Sequence, residues 1–184
     1  GGKPKIEIAG TIDDINVPVL FISNNGSRKD GTITLTETGV ISNVTGYGMR
    51  SEDPSRVTIA GTITNCSSYA LQYYPKSNQS LLTIKSTATI ENNNNGRAQV
   101  RAQNTILATD AQEHIVIEKG AAINGNKTID LAAFDVTLDE DYDAVKLGNA
   151  SNEAVTAIKT AVENEHSDWT VVGSDAVWVR PSTE

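Results

Sequence analysis

Four tyrosines grouped in one part of the sequence are the residues best suited to bind a sugar. Tyr47, Tyr69, Tyr73 and Tyr74 lie close together in a chain with only 5% aromatic residues. A tyrosine ring stacks on a sugar ring while its hydroxyl forms a hydrogen bond. In a strand, Tyr73 and Tyr74 must face opposite sides, so at least one of them is predicted to pack internally. Ordinary packing is the competing interpretation of the whole cluster, and the favoured one, because aromatic residues suit pleated surfaces.

Polar residues near these tyrosines indicate a second kind of chemistry. Arg50, Gln72, Gln99 and Arg101 occupy corresponding extended segments and are predicted to form a polar outer row. The two arginines could bind carboxylates on an acidic sugar or a protein. The favoured alternative is that these are solvated side chains that discourage lateral strand pairing.

Alternating acids in the segment "DEDYD" resemble the spacing of a calcium loop. Asp139, Asp141 and Asp143 would supply oxygen ligands, but a loop opening at Asp139 would place Ala144 and Ala150 where glycine and glutamate are required. The segment is therefore predicted to be a solvated acidic junction, and neither a metal nor a cofactor is expected.

Cys66 is the single cysteine, so the chain can form no intrachain disulfide. It aligns with Val44 in an internal repeat, and no nearby residue supplies a convincing base. A buried, small apolar role is therefore predicted in preference to nucleophilic catalysis.

An internal repeat must position all of these residues. Five segments each begin with an apolar-x-apolar triplet, pass through a short turn and reach an isoleucine: "IEIAGTIDD" from Ile6, "ITLTETGVISN" from Ile33, "VTIAGTITN" from Val57, "LTIKSTATIEN" from Leu82 and "IVIEKGAAING" from Ile115. Each segment therefore predicts two short strands. A third strand is predicted at 19–23, 69–74 and 98–102, which gives three strands per turn of the chain.

A residue that tolerates the left-handed backbone conformation follows each isoleucine by two positions. These residues are Asp14, Asn43, Asn65, Asn92 and Gly125. Asn43, Asn65 and Asn92 are predicted to form a structural ladder of hydrogen-bonded amides at a repeated corner.

The predicted fold is all-β, a coil of about five to six turns over residues 5–138. Residues 139–184 are predicted to form a C-terminal cap, with a helix at about 151–166 and a hairpin at about 169–179. The cap would cover strand edges at that end, whereas the N-terminal end of the coil is a possible site of association.

The corner segments "GTITN", "GVISN" and "ATIEN" resemble coils of the right-handed parallel β-helix, or pectin-lyase-like, superfamily. The closest likeness in character is to bacterial adhesin-like surface proteins. The resemblance implies an extracellular or cell-surface protein associated with carbohydrate or adhesion. Hydrolases of this fold carry Asp-rich, Gly-His-Gly and Arg-x-Lys motifs. Here only Asp13-Asp14 is present, and neither His114 nor His166 recreates the motif.

These observations predict a non-catalytic surface β-helix that binds a glycan or a protein through Tyr47, Tyr69, Tyr74, Arg50, Gln72 and Arg101. The alternatives are a polysaccharide lyase or hydrolase acting in a lateral groove, and a structural stalk or spacer. A net charge of -8 disfavours nucleic acid as a partner. No run of apolar residues is long enough for a transmembrane segment.

Overall fold

The computed structural model describes residues 5–17, 19–22, 31–52, 56–74, 81–94, 98–108, 114–124, 127–138, 145–146, 152–172 and 178–181. Asp139, Asp141, Asp143 and Gly125 lie outside these ranges.

Fifteen strands in these ranges form three parallel sheets of five strands each. The first sheet contains β1 (Lys5–Ile8), β4 (Thr32–Leu35), β7 (Arg56–Ile59), β10 (Leu81–Ile84) and β13 (Ile115–Ile117). The second contains β2 (Thr11–Asp13), β5 (Val40–Ser42), β8 (Thr62–Thr64), β11 (Thr89–Glu91) and β14 (Ala122–Asn124). The third contains β3 (Val19–Ile22), β6 (Met49–Glu52), β9 (Leu71–Tyr74), β12 (Ala98–Ala108) and β15 (Lys127–Leu138).

Each strand pairs with the strand three places later in the chain, so successive strands visit the three sheets in turn. We call three consecutive strands a repeat: repeat 1 is β1–β3 and repeat 5 is β13–β15. The expectation of an all-β chain with parallel pairing is confirmed. A third strand is predicted from the sequence at 19–23, 69–74 and 98–102, and the structure has a third strand in all five repeats.

The core consists of rows of aliphatic side chains stacked from one repeat to the next. In the second sheet, Ile41, Ile63 and Ile90 are in register and completely buried. Burying one such side chain contributes about 1.5–3 kcal/mol, so each row stabilises the contact between successive repeats. The need to stack like on like explains why the apolar triplets recur in the sequence.

The predicted corners have the left-handed backbone conformation. Asp14, Asn43, Asn65 and Asn92 have φ angles of 51°, 52°, 55° and 55°. Asparagine and aspartate tolerate this conformation better than branched residues, which accounts for their recurrence at one position of the repeat.

The C-terminal segment adds helix α1 (Asn152–Glu165) and a small antiparallel sheet. The sheet has the order β16–β18–β17, formed by β16 (Val145–Lys146), β17 (Trp169–Val172) and β18 (Trp178–Pro181). β17 and β18 correspond to the hairpin expected at about 169–179, whereas β16 had not been predicted. On α1, the side chains of Ile158, Ala161 and Val162 are buried.

Candidate binding surface

The outward positions of the third sheet bring the predicted polar residues into one row. Pairing places Arg50 beside Gln72, Gln72 beside Arg101, and Arg101 beside Asp130. Neighbouring parallel strands are about 4.8 Å apart, so the two arginines are separated by about 10 Å across the sheet. The row therefore holds two guanidinium groups and one carboxylate on a single face.

A column of aromatic and charged side chains stands at one edge of this row. The rings of Tyr47 and Tyr69 are stacked, with centroids 6.1 Å apart and planes inclined by 12°. The Cζ atom of Arg101 lies 5.6 Å from the centroid of the Tyr69 ring. Because Tyr47, Tyr69 and Arg101 come from three successive repeats, Tyr69 is held between the other two side chains.

The hydroxyl of Tyr69 completes the column by donating a hydrogen bond of 2.8 Å to Oδ2 of Asp130. Burial, together with this bond to the carboxylate, raises the pKa of Tyr69 to about 12. Tyr69 therefore stays a neutral donor at any physiological pH. The other oxygen of Asp130 accepts from the backbone N–H of Ala132 at 3.0 Å, which orients the carboxylate.

A second cluster lies at the other end of the same strands. The Cζ atom of Arg50 is 5.4 Å from the ring centroid of Tyr74, and Nε2 of Gln72 donates to the Tyr74 hydroxyl at 3.1 Å. Gln72 itself is only 4% exposed. Gln72 therefore lies beneath the surface and supports Tyr74. The side chains of Tyr74 and Arg50 are half-buried and reach outward.

Tyr73 faces the interior, opposite to Tyr74, in agreement with the strand alternation. It is completely buried, and burial raises its pKa strongly. Its hydroxyl has no hydrogen-bond partner in the described part of the chain. Tyr73 is thus a core residue and takes no part in the surface.

Gln99 does not join the outer row, which corrects the sequence-based expectation. It is completely buried, and its Oε1 accepts a 2.9 Å hydrogen bond from Nδ2 of Asn93. The backbone carbonyl of Gln99 accepts from the N–H of Ala70 in the neighbouring repeat. Gln99 is the second residue of β12, and its side-chain amide turns inward to pair with Asn93.

The corner asparagines are structural, and they share a backbone conformation rather than a column of linked amides. Asn43, Asn65 and Asn92 are exposed, and within the described ranges no side-chain hydrogen bond joins them. The amide of Asn43 instead donates to Oδ1 of Asp13 at 2.8 Å. The interior amide belongs to Asn93, which accepts from the N–H of Cys66 and donates to the carbonyl of Ile63.

Cys66 lies in the interior next to that amide. It is 2% exposed, and burial raises the pKa of its thiol to about 11. The thiolate needed for nucleophilic attack is therefore strongly disfavoured at neutral pH.

A shallow groove of about 400 Å3 lies along the first sheet. It forms where the turn of repeat 3, Ala60-Gly61, is two residues shorter than the turns of repeats 2 and 4. Lys85 and Glu118 form a 2.6 Å ion pair in its wall, and Thr34 and Thr58 line its floor. The ion pair lowers the pKa of Glu118.

Asp130 is the member of the candidate surface that sequence reasoning missed. A signal existed, because "TIDLAAF" contributes a further strand and Asp130 follows Arg101 by one repeat. The partnership with Tyr69 spans 61 residues, and only the register of the strands reveals it.

No family model, curated protein or solved structure matches the chain. Within the described ranges, no helix combines the length and apolar character that crossing a membrane requires.

Proposed function

We propose that the chain is a right-handed parallel β-helix that acts without catalysis, outside the cell or on its surface, as a binding module for carboxylate-bearing glycans. One observation carries this proposal: Tyr47, Tyr69, Arg101 and Asp130, together with Arg50 and Tyr74, converge on one outward face. The strand order, in which every strand pairs with the strand three places later, supports the helical coil.

The dimensions of the face suit a short oligosaccharide. Tyr69 lies just before β9 and Tyr74 at its end, so the two clusters are separated by the length of a four-residue strand, about 13 Å. The arginines are about 10 Å apart across the strands. A face of that size accommodates two or three sugar rings. Each arginine can form paired hydrogen bonds with a carboxylate.

The contacts indicate different roles for these residues in binding a sugar. Tyr69 is packed between Tyr47 and Arg101, so it fixes Arg101 and Asp130 rather than stacking on the ligand. Sugar stacking falls to the half-buried rings of Tyr47 and Tyr74. Asp130 accepts hydrogen bonds, which allows it to bind sugar hydroxyls beside the arginines.

A lyase or hydrolase acting in the groove of the first sheet is the alternative, and the described side chains favour it less. A general acid needs a carboxyl whose pKa is raised, but Glu118, which lines this groove, has a lowered pKa. His114 is completely buried, and His166 lies in the C-terminal segment against β15. A stalk or spacer remains the second alternative, which predicts no ligand at all.

The experiment is a binding screen against oligomers of uronic acids and neutral oligosaccharides of equal length, followed by titration calorimetry. Acidic oligomers should bind, and the double variant Arg50→Ala/Arg101→Ala should weaken that binding at least tenfold, because two charge-assisted contacts are lost. Arg56→Ala is the matched control, since Arg56 is an exposed arginine on the first sheet.

Circular dichroism should confirm that each variant keeps the wild-type fold. Equal binding by the wild type and the double variant would contradict the proposal, as would equal affinity for neutral and acidic oligomers. Release of unsaturated or hydrolysed products during incubation would favour the enzyme instead.

A further inference from the structure

The first repeat leaves strand edges uncovered in the described part of the chain. β1, β2 and β3 are each the last strand of their sheet. The side chain of Ile6 is 36% exposed, whereas Ile33, its partner in β4, is 1% exposed. Val17, in the turn before β3, is 62% exposed. An edge of this kind, with apolar side chains beside it, is a template for pairing with another chain.

The hydrogen bonds already made by β1 define which backbone groups remain at the edge. The carbonyl of Ile8 accepts from the N–H of Thr36, so Ile8 is directed towards repeat 2. The N–H and C=O of a strand residue point to the same side, and alternate residues point to opposite sides. The backbone groups of Ile6 and Ile8 are therefore directed towards β4, and those of Lys5 and Glu7 towards the free edge.

We propose that this edge pairs with the same edge of a second copy of the chain across a twofold axis, with β1 antiparallel to β1 and Ile6 at the centre. Lys5 then lies opposite Glu7 of the second copy, and Glu7 lies opposite Lys5. These are the residues whose N–H and C=O groups are available, so each opposed pair exchanges two hydrogen bonds. Ile6 meets Ile6 at a position without hydrogen bonds, where side chains approach most closely.

The side chains fit the same register. Lys5 and Glu7 are exposed on the outer face of β1, with Nζ 3.0 Å from Oε2. Pairing around Ile6 places each of these charges opposite the unlike charge of the second copy. The inward side of Ile6 continues the buried row of Ile33 and Val57 into the second molecule. The interface is closed, because the same surface is used by both copies.

A head-to-tail contact that continues all three sheets is a second candidate arrangement. It would place β3 of one copy on β15 of another, where Glu165 and His166 already bond the backbone at Leu131. These side chains block that edge of β15, which favours the pairing of like ends.

Sedimentation velocity of the whole chain over a concentration series measures the dimer directly. Lys5→Glu and Glu7→Lys should each raise the dissociation constant roughly five- to fiftyfold, because two attractive pairs become repulsive across the twofold axis. The double variant Lys5→Glu/Glu7→Lys should return it to within about threefold of the wild-type value, since the swap restores opposite charges. Ile6→Asp should remove the dimer.

Lys159→Glu is the matched control, because Lys159 also belongs to an exposed ion pair, with Glu163 on α1. It should leave the dissociation constant unchanged. A wild-type chain that stays monomeric at all concentrations would overturn the proposal, and so would a dimer insensitive to both single reversals. Failure of the double variant to recover would equally overturn the proposed register. The thermal unfolding of each variant, followed in the same buffer, establishes that the altered chains are folded.

Discussion

Strands β1 and β15 lie at opposite ends of the parallel sheets, and their unpaired edges are covered to different extents. Each has a neighbour on one side only among the three parallel sheets. At β15, the N–H of Leu131 donates to Oε2 of Glu165 at 2.5 Å, and its carbonyl lies 2.7 Å from Nε2 of His166. The side chains of Glu165, the last residue of α1, and of His166, which follows it, thus take the place of the next strand.

Packing reinforces this cover at the last repeat. The ring of His166 stacks on Trp169 at 3.8 Å, and Phe134 of β15 meets the same indole edge-on at 6.4 Å. At β1, the described side chains offer only the exposed pair of Lys5 and Glu7. Among the described residues, side chains of the C-terminal segment thus cover the edge of β15, whereas β1 has no comparable cover.

The largest expected effect concerns Trp169, which is 7% exposed. Trp169→Ala should lower the free energy of unfolding by about 3–5 kcal/mol, because it removes a large buried side chain from the cover of β15. Ile6→Ala should cost less than about 1 kcal/mol, because Ile6 is already partly solvated. Urea unfolding monitored by circular dichroism, at a concentration where the chain is monomeric, measures both. Equal losses would remove the proposed asymmetry between the two ends.

Glu165→Ala tests the hydrogen bond that covers the edge of β15. Loss of the carboxylate leaves the N–H of Leu131 without its partner, at a cost of about 1–3 kcal/mol. Glu163→Ala, two residues earlier, removes only an exposed ion pair and should cost less than about 1 kcal/mol. The same urea titration compares the two variants. A cost for Glu165→Ala no greater than for Glu163→Ala would show that packing alone covers this edge.

Substitutions at the corner residues compare the stability of repeat 3, in the middle of the molecule, with that of repeat 1 at its open end. Asn65→Ala should lower the free energy of unfolding by about 1 kcal/mol, because alanine tolerates the φ of 55° less well than asparagine. Asp14→Ala should cost less, because repeat 1 is bonded on one side only and opens more easily. Asn65→Gly should be close to neutral. Hydrogen exchange followed by NMR would locate any loss to repeat 3 or to repeat 1.

The smallest effect is a pH dependence at repeat 1. The Ser42 hydroxyl, at 2.6 Å, and the Asn43 amide, at 2.8 Å, donate to Asp13 and hold its pKa below the ordinary 3.8. Since the folded pKa lies below the unfolded one, the resulting stabilisation is complete above the unfolded value. It is lost as the pH falls through the folded value.

An NMR titration of the side-chain carboxyl carbons measures the pKa of Asp13 directly. Ser42→Ala should move this pKa upward, because the largest contribution to the shift is removed. Thr64→Ala, at the next position of the same row, is the control. An unshifted Asp13 in the wild type would mean that β2 is not held to β5 by these side chains.

Part of the candidate surface could be predicted from residue types and the repeat, and part of it could not. The register of Arg50, Gln72 and Arg101 followed from the repeat, because parallel strands of equal spacing align corresponding positions. The burial of Gln72 could not be predicted from the repeat, because it depends on the side chains of Tyr74 and Arg50, which lie above it. Asp130 likewise required the position of β15, which is longer and less regular than the preceding strands.

The corners and the aliphatic rows were determined by the sequence itself. Asp14, Asn43, Asn65 and Asn92 tolerate the left-handed conformation, and the isoleucines two positions before the three asparagines are buried, so local chemistry suffices for both. Tertiary structure alone decided that Asn93 rather than Asn92 enters the interior, and that Gln99 turns inward to meet it. It also decided that Glu165 and His166 bond the edge of β15. These outcomes depend on which groups meet across more than one repeat, and such distances are absent from any local pattern.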